Sequence, residues 1–291
     1  MRDIAVGVDG SNGSIDALRW ATGLAEATSA AVRTISSWQM PLIASLPAVL
    51  GPMPSQAFIA SHSADRIHRA LDDAGLSGAA PSTICEGEPG AVLAAATEEA
   101  DLVVVGRTGI GRRHGLVRVA EVILGSTARH CLHNAAGPVA AVPAGSQWVA
   151  SPTVVVGVDG SAASHKALAW AVENLPDSAR IIAVRAVPPR VEALLALDQE
   201  VFDLVVRNAH EELAESLEAV LGSSEHDLAS RVEPRVVVEP ARYALIDPGF
   251  EVNLVVVGAR SRSPVMARVL GSIADHAVRH ATCPVVVVPA D

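Results

Sequence analysis

Aromatic side chains are scarce in this chain, at 3% of 291 residues, and cysteine is scarcer still, with three. A core poor in aromatics has to be aliphatic. Half of the residues are hydrophobic, chiefly Val, Ala, Leu and Ile, a mixture that suits strands buried on both faces of a parallel sheet. Cys85, Cys131 and Cys283 show no CxxC or CxH spacing. An odd, scattered set excludes a disulfide framework and fits a reducing compartment. Positive charge is in deficit too: 22 Lys and Arg stand against 32 Asp and Glu, a formal net charge of −10. Such a surface repels phosphate backbones, so no nucleic-acid partner is expected. A single nucleotide is not excluded, because its site needs only local donors. No apolar run approaches the ~18–20 residues of a membrane span, so no membrane partner is expected either. Met1-Arg2-Asp3-Ile4 leads directly into a strand-like run without a signal-peptide pattern, and the expected location is cytoplasmic. Three catalytic signatures are missing: GxGxxG after the first strand, GxxxxGK[ST], and the GxSxG elbow. Their absence disfavours dinucleotide, P-loop and serine-hydrolase chemistry.

What the chain does have is an internal repeat. DIAVGVDGSNGSIDALRWA from Asp3 is echoed 150 positions later by TVVVGVDGSAASHKALAWA from Thr153. DLVVVG (Asp101 to Gly106) returns as NLVVVG (Asn253 to Gly258), and Leu124-Gly125-Ser126 as Leu270-Gly271-Ser272. Pro138-Val139 with Val142-Pro143 returns as Pro284-Val285 with Val288-Pro289. Four blocks in one order indicate a duplicated domain: residues 1–145, a linker at 146–152 within PAGSQWVASP, and residues 153–291.

Each half alternates short β-branched runs with helical stretches. Ile4 to Val8 ends at an Asp-Gly turn; Ile15, Leu18, Ala21 and Ala25 then fall at helical spacing behind the capping candidates Ser11 and Ser14. Strands are expected at Ala31 to Ser37, near Thr83, at Leu102 to Val105 and at Val139 to Val142. Helices are expected near Ser55 to Ala74, Pro89 to Glu99 and Ser126 to Asn134. Residues 38–54 read as loop because of their prolines. In the second half Pro240, Pro248 and Gly249 leave room only for a short third helix. The pattern predicts an α/β fold: two tandem flavodoxin-like or Rossmann-like domains, each a five-stranded parallel sheet with helices on both faces. Ligands in such sheets sit at the carboxyl ends of the strands, at the switch in strand order, here expected beside the first and fourth strands. Asp9 and Asp159 end the first strands; Gly106 and Gly258 end the fourth.

After the fourth strand the second half reads Gly258-Ala259-Arg260-Ser261, nine residues, then Gly271-Ser272 and a helix. Small residues let the backbone approach an anion, and the helix start offers unpaired amides and partial positive charge. In the first half the stretch is longer. Either Gly109 or Gly115 can stand as the second glycine before Gly125-Ser126, and the intervening IGRRHG carries Arg112 and Arg113, suited to phosphate pairing.

These features together, GVDGS after strand one, GxxG after strand four, nine residues, Gly-Ser and a helix, then PVxVVP, resemble the universal stress protein family twice over, across nearly the whole chain. The resemblance implies an adenine nucleotide alpha hydrolase-like fold and a bound adenine nucleotide, ATP or ADP with Mg2+ as an optional companion, in a stress-response role. It implies that Asp9 and Asp159 contact the adenosine part. It assigns the phosphates to Gly106, Gly109 or Gly115, Gly125 and Ser126 in one half, and to Gly258, Ser261, Gly271 and Ser272 in the other. Ser261 stands where the pattern has glycine, and the first half carries an insertion. A second reading therefore stays open: a nucleotide-free signalling or interaction scaffold of the same fold. No catalytic residue and no metal ligand is assigned, and at most slow ATP hydrolysis is expected. His130 with His133 and His276 with His280 have helical spacing but lack a third ligand nearby, and are read as surface or packing residues. Asp159, Ser161 and His165 are too local for a triad. Trp20 and Trp170 are read as core. The final strands are apolar and lack guarding charge, so the two halves are expected to pair within one chain through them; a further homodimer is compatible.

Overall fold

Strands and helices alternate in the computed structural model, which describes residues 1–39, 55–73, 75–76, 78, 80–108, 124–188, 199–222, 231–259 and 270–290. Gly109, Gly115, Arg112, Arg113, Arg260 and Ser261 lie outside the described residues. The first half runs β1 (Asp3–Gly7), α1 (Asn12–Thr28), β2 (Ala31–Trp38), α2 (Gln56–Asp73), β3 (Ser82–Glu86), α3 (Pro89–Ala96), β4 (Leu102–Gly106), α4 (Ser126–Asn134) and β5 (Val139–Val142). The second runs β6 (Thr153–Gly157), α5 (Ala162–Asn174), β7 (Arg180–Ala186), α6 (Gln199–Leu221), β8 (Val232–Val237), α7 (Ala241–Ala244), β9 (Leu254–Gly258), α8 (Ser272–His280) and β10 (Val285–Val288).

Local chemistry sets the turns that matter. Gly10 and Gly160 both sit at φ 79°, a left-handed conformation that an L side chain resists. The chain reverses there and enters α1 and α5 behind Ser11 and Ser161, whose hydroxyls accept from the amides of Ser14 and Ser164. Helix α7 is four residues long, started by Pro240 and stopped before Pro248 and Gly249, as the sequence requires.

The strand order is β3-β2-β1-β4-β5-β10-β9-β6-β7-β8, a single ten-stranded sheet. Within each half all pairings are parallel. Each half has the 3-2-1-4-5 order of a Rossmann half rather than the 2-1-3-4-5 order of flavodoxin, so the switch falls between strands one and four, where it was expected. Strands β5 and β10 pair antiparallel, with Val286 opposite Ala140 and Val287 opposite Val139. The edge that each half would expose alone is thereby covered by the other, as the apolar final strands predicted.

Alternate residues of each strand face opposite layers. Ile4, Val6, Leu102, Val104 and Val286 pack against α1, α2, α5 and α6. Ala5, Val103, Val105, Val285 and Val287 pack against α3, α4, α7 and α8. Each layer's core is continuous across the two halves. Trp20 and Trp170 are buried in the first layer. The linker is pinned to it: Trp148 packs edge-on against Trp20, with centroids 5.7 Å apart, and Asp16 accepts from the Gly145 amide at 2.8 Å.

Candidate functional site

The β1–α1 turn is a closed hydrogen-bond loop. Asp9 Oδ1 accepts from the Ser11 amide at 2.9 Å, and Ser14 Oγ accepts from the Asp9 amide at 3.3 Å while donating to the Ser11 carbonyl at 2.9 Å. Asp159, Ser161 and Ser164 repeat it at 3.1, 3.3 and 2.9 Å. Each carboxylate therefore braces its own turn. Each also faces a cleft above the ends of strands one and four.

The first cleft has a volume of about 380 Å³ and brings together Asp9, Gly106, Gly125 and Ser126, from three separate stretches of chain. Ile35, Ile67 and Leu93 supply its apolar wall, and Ser11, Ser14, Ser37 and Thr127 its polar one. The second cleft, about 170 Å³, gathers Asp159, Gly258, Gly271 and Ser272 in the same relation. Nothing in the sequence motifs singled out Ile35, Ile67 or Ser37 in the first half or Arg185 in the second. A signal existed for Arg185, a charge in the otherwise apolar run IIAVRAV.

The helix starts differ in how their amides are satisfied. Ser11, Ser161 and Glu88 cap α1, α5 and α3 with side-chain oxygens. Helices α4 and α8 start behind Gly125 and Gly271, which offer no side-chain cap. Their first-turn residues line the clefts, Ser126, Thr127 and Ala128 the first and Ser272, Ile273 and Ala274 the second, so the helix starts stand there as donors for an anion. Gly125 lies at φ −60° and Gly271 at φ −59°, so neither glycine is required by its own conformation.

Gly106 and Gly258 have a different reason to be glycine. A Cβ on Gly106 would lie 2.7 Å from the carbonyl carbon and oxygen of Gly13, and one on Gly258 would lie 2.4 Å from the Ala163 carbonyl oxygen. The helix after strand one sits directly on the end of strand four, and only glycine admits that approach. Both residues line the clefts, but backbone packing is what fixes their identity.

Arg107 follows Gly106 and turns away from the cleft. Its amide donates to Val142 and its carbonyl accepts from Gly125 at 2.9 Å. Its guanidinium donates to the Ala281 carbonyl at 2.6 Å, at the end of α8 in the other half. Burial lowers its pKa. It is a tie between halves.

The remaining polar candidates have structural partners. His130 Nδ1 lies 3.3 Å from Glu88. His276 lies tilted against His280, with ring centroids 4.3 Å apart, and meets Tyr243 edge-on; burial, then His280 and Arg242, lower its pKa. Among the described residues no group of three His, Cys, Asp or Glu could hold a metal. The Ser161 hydroxyl is engaged with Asp159 and the Ser164 amide rather than with His165. No helix among the described residues is long and apolar enough to cross a membrane.

With this geometry in place, three comparisons bear on lineage. The profile of the Universal stress protein family matches residues 1–143 and again 151–289. A universal stress protein of Mycolicibacterium smegmatis is 30% identical over 303 aligned positions, covering 98% of this chain and 96% of that protein. One of Mycobacterium tuberculosis is 29% identical, covering 98% and 96%. The crystal structure of a universal stress protein from Archaeoglobus fulgidus superposes with a TM-score of 0.62 over 99% of this chain and 98% of that one, at 17% identity.

Proposed function

The chain belongs to the universal stress protein family, in two tandem copies, and on that premise we propose that it is an ATP-binding regulatory protein of the stress response. The reading rests on one observation above all. The first cleft, at about 380 Å³, falls within the ~300–1,000 Å³ typical of small-molecule sites and sits at the topological switch point. One end of it is polar and positive by geometry: the uncapped start of α4, with Ser126 and Thr127 as hydroxyl donors. The other end is apolar, between Ile35 and Ile67, with Asp9 at the rim as an acceptor for a sugar hydroxyl or base amine. A polyanion joined to a planar base through a ribose matches that sequence of environments.

In this proposal the amides after Gly125 and the Ser126 hydroxyl hold the phosphates, and Asp9 the adenosine part. Gly109 or Gly115 in the first half, and Ser261 in the second, would contribute to the phosphate loops. The described residues offer no acidic cluster for a resident metal, so any Mg2+ would arrive with the nucleotide. The protein would act in the cytoplasm. Signalling would come from the occupied and empty states differing in what they present to a partner. Adenine nucleotide should be preferred over GTP. The test is competition against a fluorescent ATP analogue on the full chain: ATP and ADP should displace it and GTP should not. Failure of the analogue to bind at all would favour the nucleotide-free scaffold.

A further inference from the structure

The two clefts share a frame, although Ile273 stands in the second where Thr127 stands in the first. Ser14 and Ser164, Leu93 and Leu245, Gly106 and Gly258, Ser126 and Ser272 occupy matching places. The difference at the base end lies where strand two ends. The amides of Val8 and Val158 donate to Ile35 and Val184, which makes Ser36 the counterpart of Arg185. Ser36 is buried and turns its hydroxyl onto the Val8 carbonyl at 2.7 Å. Ser36 does not line the first cleft, which extends past it to Ile67 on α2. Arg185 cannot be accommodated that way. Its guanidinium lies over the Asp159–Gly160 turn, where a Cβ on Gly160 would stand 3.7 Å from Nη1, and it is ion-paired with Glu212 on α6. No residue of α6 lines the second cleft among the described residues, and the cleft has less than half the volume of the first.

We infer that the Arg185–Glu212 pair closes the base end of the second cleft, so that the tandem chain takes one nucleotide, in its first half, with Arg185 as the residue that sets this asymmetry. The inference rests on the nucleotide reading above. The volume of the second cleft, about 170 Å³, falls below the ~300 Å³ at which small-molecule sites begin. A guanidinium can stack on a base when free to move. Here its side chain is only 19% exposed and held by Glu212, so an entering base would have to break the pair and leave a partly buried charge without its partner. The phosphate end keeps Gly271, Ser272 and the uncapped start of α8, with Ile273 in the place of Thr127. The block is therefore to the nucleoside and not to the anion, and opening the base end should be enough to restore binding.

The experiment is equilibrium dialysis of the nucleotide-stripped full chain against labelled ATP, with stoichiometry as the readout. Wild type should bind one ATP per chain. Arg185→Ser, which installs the first half's own residue, should bind two, and Arg185→Lys should stay at one. Gly125→Asp should bind none, and Gly125→Asp combined with Arg185→Ser should regain one. Two ATP per wild-type chain would overturn the asymmetry while leaving the nucleotide reading intact. One ATP per chain in Arg185→Ser, with its urea midpoint unchanged, would overturn the role of Arg185. One ATP retained in Gly125→Asp would place the occupied site in the wrong half. No binding in wild type or in Arg185→Ser would sink the nucleotide reading and this inference with it.

Discussion

Replacing Gly106 by alanine tests whether that glycine serves packing or ligand. The added Cβ would stand 2.7 Å from Gly13 C and O and 3.1 Å from Ser14 N, all backbone atoms at the start of α1. An ordinary contact begins near 3.4 Å, so α1 has to retreat from β4 by about 0.7 Å, the difference between 3.4 and 2.7. The helix start cannot retreat alone. Ser11 and Ser14 hold the Asp9 turn through the hydrogen bonds described above, and Leu18 and Trp20 lock the same helix into the core. Overpacking of this kind costs about 1–3 kcal/mol. For a chain of this size that corresponds to a fall in Tm of roughly 2–5 °C. Urea unfolding without nucleotide should show a lower midpoint at an unchanged slope. Gly258→Ala, at 2.4 Å from Ala163 O, should cost at least as much. If Gly106→Ala unfolds like wild type in nucleotide-free buffer and loses only ATP affinity, the packing argument is refuted and the glycine is there for the ligand.

Arg107→Met removes the guanidinium bond to the Ala281 carbonyl. A loss of ~1.5–3 kcal/mol is expected from urea midpoints, the range for hydrogen bonds to charged groups. Val286→Pro takes a donor from a strand paired on both sides; after cleavage in the linker the two halves should separate on gel filtration, where wild-type halves stay together. Burial pushes the Cys131 thiol up to about 12 and that of Cys283 to about 11, so at pH 8 a thiol reagent should label only Cys85 until the chain unfolds. For the same two thiols the sign is fixed. Their folded values lie above the unfolded value of 9.0, so their contribution to stability is whole below pH 9 and is lost as pH climbs towards 11–12, measurable as falling urea midpoints.

Much of this fold was legible because its signals are local. VVVG runs, Asp-Gly turns and serine caps each fix their own few residues, and their recurrence 150 positions on reveals the duplication. The pairing of β5 with β10 was legible for a related reason: apolar edges without charge require a cover. What was not legible depends on neighbours distant in sequence. Strand order is not written in any one strand, so flavodoxin-like and Rossmann-like orders stayed together until the 3-2-1-4-5 arrangement separated them. The reason for Gly106 lies in the backbone of Gly13, and the partner of Arg107 is 174 residues away. Arg185 was passed over because a strand-end arginine looks solvated until Glu212 is seen beside it. Trp148, read as linker, belongs to the packing of α1.

A crystal structure of the full chain grown with ATP tests the central claim most directly. Phosphate density should lie on the amides after Gly125 and on Ser126, the base between Ile35 and Ile67, and the Asp9 carboxylate on the adenosine part. The Arg185–Glu212 pair should be intact over an empty second base site. ATP seated elsewhere on the chain, or a first cleft that stays empty at saturating ATP, would contradict it.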